Sequence, residues 1–122
     1  VRPQDSEKVK TTVRPDYALQ SHSAPLGLAF TKPGGSGAGP FAEGAFVGLH
    51  GSWNRKVPVG YKVIFVPFKD GRPSGPPLDF VTGFQADGRT MGRPVGVTVD
   101  AKGAVIVADD LSNTVWRVAP AG

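Results

Sequence analysis

The chain has 122 residues, enough for one small domain, and 39% of them are hydrophobic. Its seventeen glycines and twelve prolines argue against a helical domain, because within a helix these residues cost about 1 and 3 kcal/mol each. The lack of cysteine excludes disulfides and thiolate metal sites, and a net charge of +4 without a dense basic stripe argues against nucleic-acid binding.

The polar start of the chain, residues 1–23, is interpreted as an extended arm or linker. Within it, Tyr17 and Leu19 alternate with polar neighbours in the manner of a short strand. The arm contains no signal-peptide apolar region, and no apolar run in the chain approaches the roughly 20 residues that span a bilayer. We therefore expect no membrane span. A start at Val1 fits a fragment whose export signal, if it has one, lies upstream.

Short apolar runs separated by turn residues predict seven strands and no helix. These strands are residues 26–31, 45–50, 61–68, 78–84, 95–99, 104–108 and 114–118. Residues 32–40 are rich in glycine and predict a flexible loop. Asp70-Gly71 and the turn from Asp100 to Gly103 place an aspartate before a glycine that tolerates positive φ, so we expect antiparallel hairpins there.

A weak internal repeat relates the first three strands to the last three, and the first group is followed by a fourth strand at 78–84. Four strands per repeat is typical of a β-propeller blade. The sequence therefore predicts an all-β chain with two blades, residues 24–84 and an incomplete blade at 92–122. Since two blades leave apolar faces and sheet edges open, we expect the remaining blades to come from another chain or from identical copies.

The candidate binding residues follow strand ends within 44–68 and at a turn near residue 93. They are His50, Trp53, Asn54, Arg55, Arg93 and Pro94. A tryptophan beside cationic groups suits a flat anionic ligand, because the ring packs on the ligand's face and guanidinium groups pair with its carboxylates. A structural role for His50, and plain surface exposure for the arginines, remain alternatives.

Two adjacent aspartates, Asp109 and Asp110, follow the strand at 104–108 and resemble a metal or acid-base pair. Neighbouring residues on a strand point to opposite faces, so the two carboxylates are not expected to share one site. We favour a role in capping the turn that Asn113 closes.

Five stretches resemble the dehydrogenases of sugars that depend on pyrroloquinoline quinone (PQQ), in particular the glucose/sorbosone branch. The stretches are HSAPLGLAF (22–30), GAFVGLHGSWNR (44–55), GYKVIFVPF (60–68), FVTGF (80–84) and GRPVGVTVDAKGAVIVADDLSNTVWRV (92–118). The resemblance implies a six-bladed propeller of which this chain forms the last two blades.

The resemblance also implies that an aldose or sorbosone-type sugar is oxidised, with hydride passing to PQQ and electrons to an external acceptor, in the periplasm or outside the cell. His50, Trp53, Asn54 and Arg55 would lie at the cofactor or substrate mouth, and Arg93 with Pro94 beside the three PQQ carboxylates. The family's catalytic histidine and Ca²⁺ site belong to earlier blades, so no catalytic residue is assigned in this chain.

Two other functions fit the same strands. One is a non-enzymatic propeller-like binding or assembly module that closes by oligomerisation. The other is a protein-binding propeller of the NHL type, which explains the blades but not the HGSWNR stretch.

Overall fold

The computed structural model describes residues 5–32, 39–53 and 55–121, and the architecture is all-β with one short α-helix. The strands are β1 (Pro25–Phe30), β2 (Gly44–Leu49), β3 (Lys62–Lys69), β4 (Arg72–Pro73), β5 (Leu78–Val81), β6 (Gln85–Ala86), β7 (Arg89–Thr90), β8 (Pro94–Val99), β9 (Val105–Asp109) and β10 (Thr114–Val118). All seven predicted strands have a counterpart among them. Within the described ranges, no helix is long and apolar enough to cross a membrane.

Two antiparallel sheets contain most of these strands. In the first, β2 lies between β1 and β3, and β3 also pairs with β5 and with the short β4. In the second, β9 lies between β8 and β10. Strands β6 and β7 form a separate hairpin on the connection between the two sheets. The first sheet thus repeats the three-strand meander of the second and adds β5 and the short β4 beside β3.

The hairpin turns follow from residues that tolerate positive φ. Asp70 and Gly71, with φ of 52° and 76°, connect the paired Lys69 and Arg72, as a two-residue type I′ turn requires. The predicted hairpin is therefore confirmed. Asp87 and Gly88 repeat the arrangement between β6 and β7, with φ of 52° and 72°.

The main core lies between the two sheets. Its buried side chains are Phe46, Val63 and Phe65 from the first sheet and Val97, Val105 and Val107 from the second. Close approach of the sheets depends on Gly27 in β1, where a Cβ would lie 2.1 Å from the Val95 carbonyl oxygen of β8. Because any side chain at this position would force the strands apart, the sequence packs β1 directly on β8.

The arm contains helix α1 (Ser6–Lys10), which departs from the predicted strand-only fold, and Gly39–Phe41 forms a short 3₁₀-helix between β1 and β2. The Asp5 carboxylate accepts hydrogen bonds from the backbone N–H groups of Glu7 and Lys8 at 3.1 and 3.2 Å, which caps the helix N-terminus. Lys10 and Glu7 form an exposed ion pair at 2.8 Å. The prediction of no helix is wrong here because local capping, rather than a buried face, forms this single turn.

The strand considered for Tyr17 and Leu19 does not form, since these residues have no pairing partner in the described chain. Leu19 instead packs against a second apolar cluster on the outer face of β2 and β3. That cluster consists of Val47, Leu49, Ile64 and Val66. The arm thus covers part of the face of the first sheet that is turned away from the second.

Candidate functional site

One end of the two sheets collects most of the predicted site residues. Strand β2 ends and β3 begins at this end, and β8 begins and β9 ends there as well. His50 therefore meets Arg93 and Asp110, which are 43 and 60 residues away in sequence. The hairpin at Asp70-Gly71 lies at the opposite end of the first sheet.

The loop that follows His50 is closed at its base by Ser52. The Ser52 N–H donates to the Val59 carbonyl at 2.8 Å, and the Val59 N–H donates to the Ser52 hydroxyl at 3.0 Å. The Tyr61 hydroxyl donates to the Ser52 carbonyl. Gly51 has φ of 99°, and a Cβ there would lie 2.7 Å from the Tyr61 ring. These contacts make the segment between Ser52 and Val59 project away from the sheets.

The projecting segment presents an aromatic ring and two cations to solvent. The Trp53 residue is 81% exposed. Arg55 and Lys56 are exposed too, and Arg55 Nη1 donates to the Ser21 carbonyl at 3.1 Å. Asn54, also predicted as a site residue, lies outside the described residues.

Arg93 joins the second sheet to the first at the base of this loop. Its Nε donates to the His50 carbonyl at 3.1 Å and its Nη2 to the Gly51 carbonyl at 3.0 Å. Its guanidinium carbon lies 5.5 Å from the centroid of the Tyr61 ring, which is a cation–π distance. These two bonds use two of the five N–H groups of the half-buried guanidinium.

The residues on either side of Arg93 fix its backbone. Gly92 is buried, and a Cβ there would lie 2.3 Å from Asp109 Oδ2 and 2.5 Å from the Phe84 ring. Pro94 begins β8 and is one of the fully buried side chains. Pro94 is therefore not open to a ligand in this structure, and it fixes the backbone from which Arg93 extends.

Asp109 is the buried hydrogen-bond centre beneath Arg93 and is only 4% exposed. Its Oδ1 accepts from the N–H groups of Arg93, Leu111 and Ser112, and its Oδ2 accepts from the Ser112 hydroxyl and the Trp116 indole. Burial raises the pKa of Asp109, but these hydrogen bonds outweigh burial and lower the pKa from 3.8 to about 2. The predicted turn-capping role is confirmed for this aspartate.

Asp110 points to the other side and contacts the His50 ring. Each Asp110 carboxylate oxygen lies 3.1 Å from His50 Nε2. The His50 side chain is 18% exposed and that of Asp110 is 58% exposed. The two aspartates, one at the end of β9 and the other in the turn after it, thus have different partners and do not share one site, as predicted.

The structure brings together His50, Arg93 and the base of the Trp53 loop. That these residues bind a ligand stays a prediction. Two residues at this end are not predicted as site residues from the sequence: Tyr61, which is assigned to a strand, and Asp110, which is assigned with Asp109 to a turn. The signal for Asp110 was available, because strand alternation separates it from its buried neighbour. Across residues 5–32, 39–53 and 55–121, no three His, Asp or Glu residues are arranged to hold a metal ion.

Comparison with known sequences relates nearly the whole chain to one family. A model of the TrAA12-like family matches residues 2–121. An uncharacterised protein of Borreliella burgdorferi is 35% identical over 104 residues, which are 84% of this chain and 27% of that protein. The pyrroloquinoline quinone-dependent pyranose dehydrogenase of Coprinopsis cinerea is 46% identical over 55 residues, which are 45% of this chain and 7% of that enzyme.

Solved structures show the same relationship. The holo form of the C. cinerea pyranose dehydrogenase PQQ domain superposes with a TM-score of 0.69 and 29% identity, covering 90% of this chain and 30% of that one. The calcium structure of the Trichoderma reesei carbohydrate-active enzyme of family AA12 superposes with a TM-score of 0.73 and 26% identity, covering 93% and 28%. This chain therefore spans less than a third of each relative described here. The relatives support the expected PQQ sugar dehydrogenase likeness coarsely, without singling out the glucose/sorbosone branch.

Proposed function

Because this chain belongs to the TrAA12-like family, we propose that it forms part of a PQQ-dependent sugar oxidoreductase and supplies contacts to the cofactor carboxylates. The proposal extends to this chain what the name of the C. cinerea enzyme states of that enzyme. It concerns a larger protein, since the chain spans 30% of the holo PQQ domain.

The half-buried guanidinium of Arg93 is the observation that carries the proposal. Two carbonyl groups and the Tyr61 ring hold it in one orientation, so little side-chain entropy is lost when an anion binds. The N–H groups not used by these carbonyls suit a carboxylate, for which guanidinium forms charge-assisted pairs. PQQ carries three carboxylates on a planar ring system and supplies, when bound, the quinone that accepts hydride from the sugar.

The loop between Ser52 and Val59 adds a second part to the proposed site. Its exposed Arg55 and Lys56 contribute positive charge at the end of the sheets where Arg93 lies. Trp53 offers an uncovered ring face on which a planar ligand or a sugar ring packs. We propose that His50, Trp53, Asn54 and Arg55 form the mouth of the site, while Pro94 positions Arg93 from below.

Other segments are needed for a working enzyme. We propose that the two sheets are consecutive blades of a six-bladed propeller, in which strands outside this chain pair with the free edge of β10 and cover the exposed Leu26, Leu28 and Phe30 on β1. The catalytic histidine and the Ca²⁺ ligands would also come from those segments. These strands would come from the same polypeptide, from a second chain or from identical copies.

The proposed substrate is an aldose in its pyranose form. The name of the C. cinerea relative supplies the pyranose part, the aldose part comes from the sequence resemblance, and a sorbosone-type sugar is a narrower alternative. Electrons would pass from the reduced cofactor to an external acceptor. A periplasmic or secreted location belongs to the same proposal and follows only from the resemblance.

An alternative function follows from the apolar side chains on the outer faces of both sheets. Leu26, Leu28 and Phe30 on β1 and Val115 on β10 are each more than half exposed. Apolar side chains on two outer faces also suit a non-enzymatic module whose copies close into a ring without cofactor.

The test is PQQ affinity of the full-length protein that contains this chain, measured by isothermal titration calorimetry with and without Ca²⁺. Replacing Arg93 by Gln removes a charge-assisted pair, which is worth about 1.5 to 3 kcal/mol, so the dissociation constant should rise about 10- to 150-fold. Arg93→Lys keeps the charge but loses the paired N–H groups of the guanidinium. Its dissociation constant should lie between those of the wild type and Arg93→Gln. Arg72→Gln, at the far end of the first sheet, is the matched control and should bind as the wild type does.

A wild-type protein that fails to bind PQQ under either condition would reject the enzyme proposal. Native mass spectrometry of the same sample then addresses the alternative, since a ring of identical chains without cofactor is what that alternative predicts. Circular dichroism of Arg93→Gln separates lost binding from lost folding, because Arg93 also connects the two sheets.

A further inference from the structure

Two neighbouring carboxylates at the site differ in how completely their acceptor positions are used. Asp109 accepts five hydrogen bonds and is almost fully buried. The Asp110 side chain is 58% exposed, and its two carboxylate oxygens share a single partner, His50 Nε2. An ionised carboxylate has about four lone-pair positions, so Asp110 retains acceptor capacity toward solvent.

The position of Asp110 is fixed although the residue is exposed. Its backbone N–H donates to the Arg93 carbonyl at 3.4 Å. The His50 ring fixes its side chain, and the backbone of that same histidine accepts a hydrogen bond from Arg93 Nε. The carboxylate is therefore held next to the His50 ring and close to the backbone of Arg93, on a support that involves both sheets.

We propose that Asp110 binds hydroxyl groups of the sugar substrate and makes the site select neutral sugars over sugar acids. This inference rests on the proposed oxidoreductase function. Carboxylate oxygens accept the O–H groups of a neutral sugar in charge-assisted hydrogen bonds. A carboxylate on the substrate would instead meet a fixed negative charge, and like charges repel at this range.

The division of charge across the site agrees with this role. Arg93, Arg55 and Lys56 supply the positive side, which suits the anionic cofactor, whereas Asp110 is the acidic group in contact with His50. If Asp110 served only to hold His50, its replacement would change kcat/KM by the same factor for all substrates. Selectivity between a neutral sugar and its acid is therefore the property that separates binding from structural support.

The experiment compares the full-length protein with its Asp110→Asn variant on an aldohexose and on the hexuronic acid of the same configuration. The asparagine oxygen still accepts from His50 Nε2, so the histidine should keep its place while the charge is lost. We expect KM for the neutral sugar to rise about 10-fold with kcat changed less than about 3-fold, and the ratio of kcat/KM between aldohexose and uronic acid to fall about 10-fold. Asp70→Asn removes the same charge in the distant hairpin turn, whose positive φ asparagine tolerates, and should leave both values unchanged.

Two further measurements separate this inference from the function on which it rests. Calorimetric binding of the aldohexose should weaken about 10-fold in Asp110→Asn, while PQQ affinity should match that of the wild type. Intact PQQ binding and sugar oxidation with an unchanged selectivity ratio would overturn the role of Asp110 and leave the oxidoreductase standing. A wild-type protein without PQQ binding or sugar oxidation would overturn both.

Discussion

The guanidinium carbon of Arg93 lies 5.5 Å from the centroid of the Tyr61 ring, and the Tyr61 hydroxyl donates to the carbonyl of Ser52. One tyrosine therefore supports the proposed anion-binding group with its ring and closes the neighbouring loop with its hydroxyl. Because the two ends of the side chain have different partners, substitutions can remove them separately.

The first prediction concerns the two roles of Tyr61. Tyr61→Phe leaves the buried Ser52 carbonyl without its donor and should lower the free energy of unfolding by about 1 to 2 kcal/mol. Tyr61→Leu also removes the aromatic face, and a double-mutant cycle with Arg93→Gln should give a coupling of about 0.5 to 1 kcal/mol. Urea unfolding of the wild type, Tyr61→Phe and the three variants of the cycle measures both quantities. A coupling of zero would mean that the ring does not stabilise the guanidinium.

The second prediction is an acid-dependent loss of stability caused by Asp109. Its pKa is about 2 in the folded protein against 3.8 ordinarily, so the carboxylate contributes about 2 kcal/mol of stability above pH 4. That contribution should disappear as the pH falls from about 4 to 2, because over this range the unfolded state binds a proton that the folded state, with its lowered pKa, does not.

The control for this acid dependence is Asp109→Asn, which should be less stable at pH 7 and should lose part of its slope below pH 4. Asp100 will retain a slope of its own, since backbone hydrogen bonds from Ala104 and Lys102 and the charge of Arg117 lower its pKa despite the opposing effect of burial. Unfolding curves of both proteins between pH 2 and 7 make the comparison. Equal slopes would show that Asp109 does not titrate as its hydrogen bonds require.

The third prediction is steric and concerns Gly92. A methyl group there would collide with Asp109 Oδ2 at 2.3 Å and with the Phe84 ring at 2.5 Å. Gly92→Ala should therefore lower the free energy of unfolding by about 1 to 3 kcal/mol, as is typical of overpacking. The backbone movement that relieves the collision would also displace Arg93 and weaken PQQ binding. Gly96→Ala is the matched control, because its nearest neighbour is 3.9 Å away. Thermal unfolding should separate the two variants clearly, and similar melting temperatures would contradict the packing argument.

The fourth prediction contrasts the two tryptophans. Trp53 is 81% exposed, so Trp53→Ala should change the unfolding free energy by less than about 0.5 kcal/mol. It should nevertheless weaken PQQ or sugar binding about 2- to 10-fold, because a ring face is lost. Trp116→Ala should instead lower the unfolding free energy and leave ligand binding nearly unchanged, since the Trp116 indole N–H donates to the buried Asp109. If Trp53→Ala leaves both ligands bound as before, the exposed ring is not part of the site.

Residue chemistry alone predicted much of this fold. The Asp70-Gly71 turn, the capping by Asp109 and the strand pattern follow from local preferences that neighbouring residues set. Helix α1 was missed because one capped turn at Asp5 forms without the apolar periodicity that normally indicates a helix. Each of these features depends on residues that lie within a few positions of it in the sequence.

The arrangement of the site could be predicted only in part. His50 and Arg93 were singled out by type, yet the contact between His50 and Asp110 joins residues 60 positions apart. Nothing in either local sequence encodes that distance, because it depends on how β1 packs against β8. The role of Tyr61 was hidden for a similar reason, since a tyrosine at the start of a strand ordinarily signals core packing.

The pair of hydrogen bonds between Ser52 and Val59 closes the base of a loop whose tip, at Trp53 and Arg55, is exposed. Changes at the tip are thereby separated from the strand pairing, and the contact they would remove is the Arg55 hydrogen bond to the Ser21 carbonyl of the arm. A protein engineer could replace the segment between these two residues with random sequences and select for new ligands without first repairing the fold. The same isolation gives natural selection a short stretch in which recognition can diverge at little cost in stability.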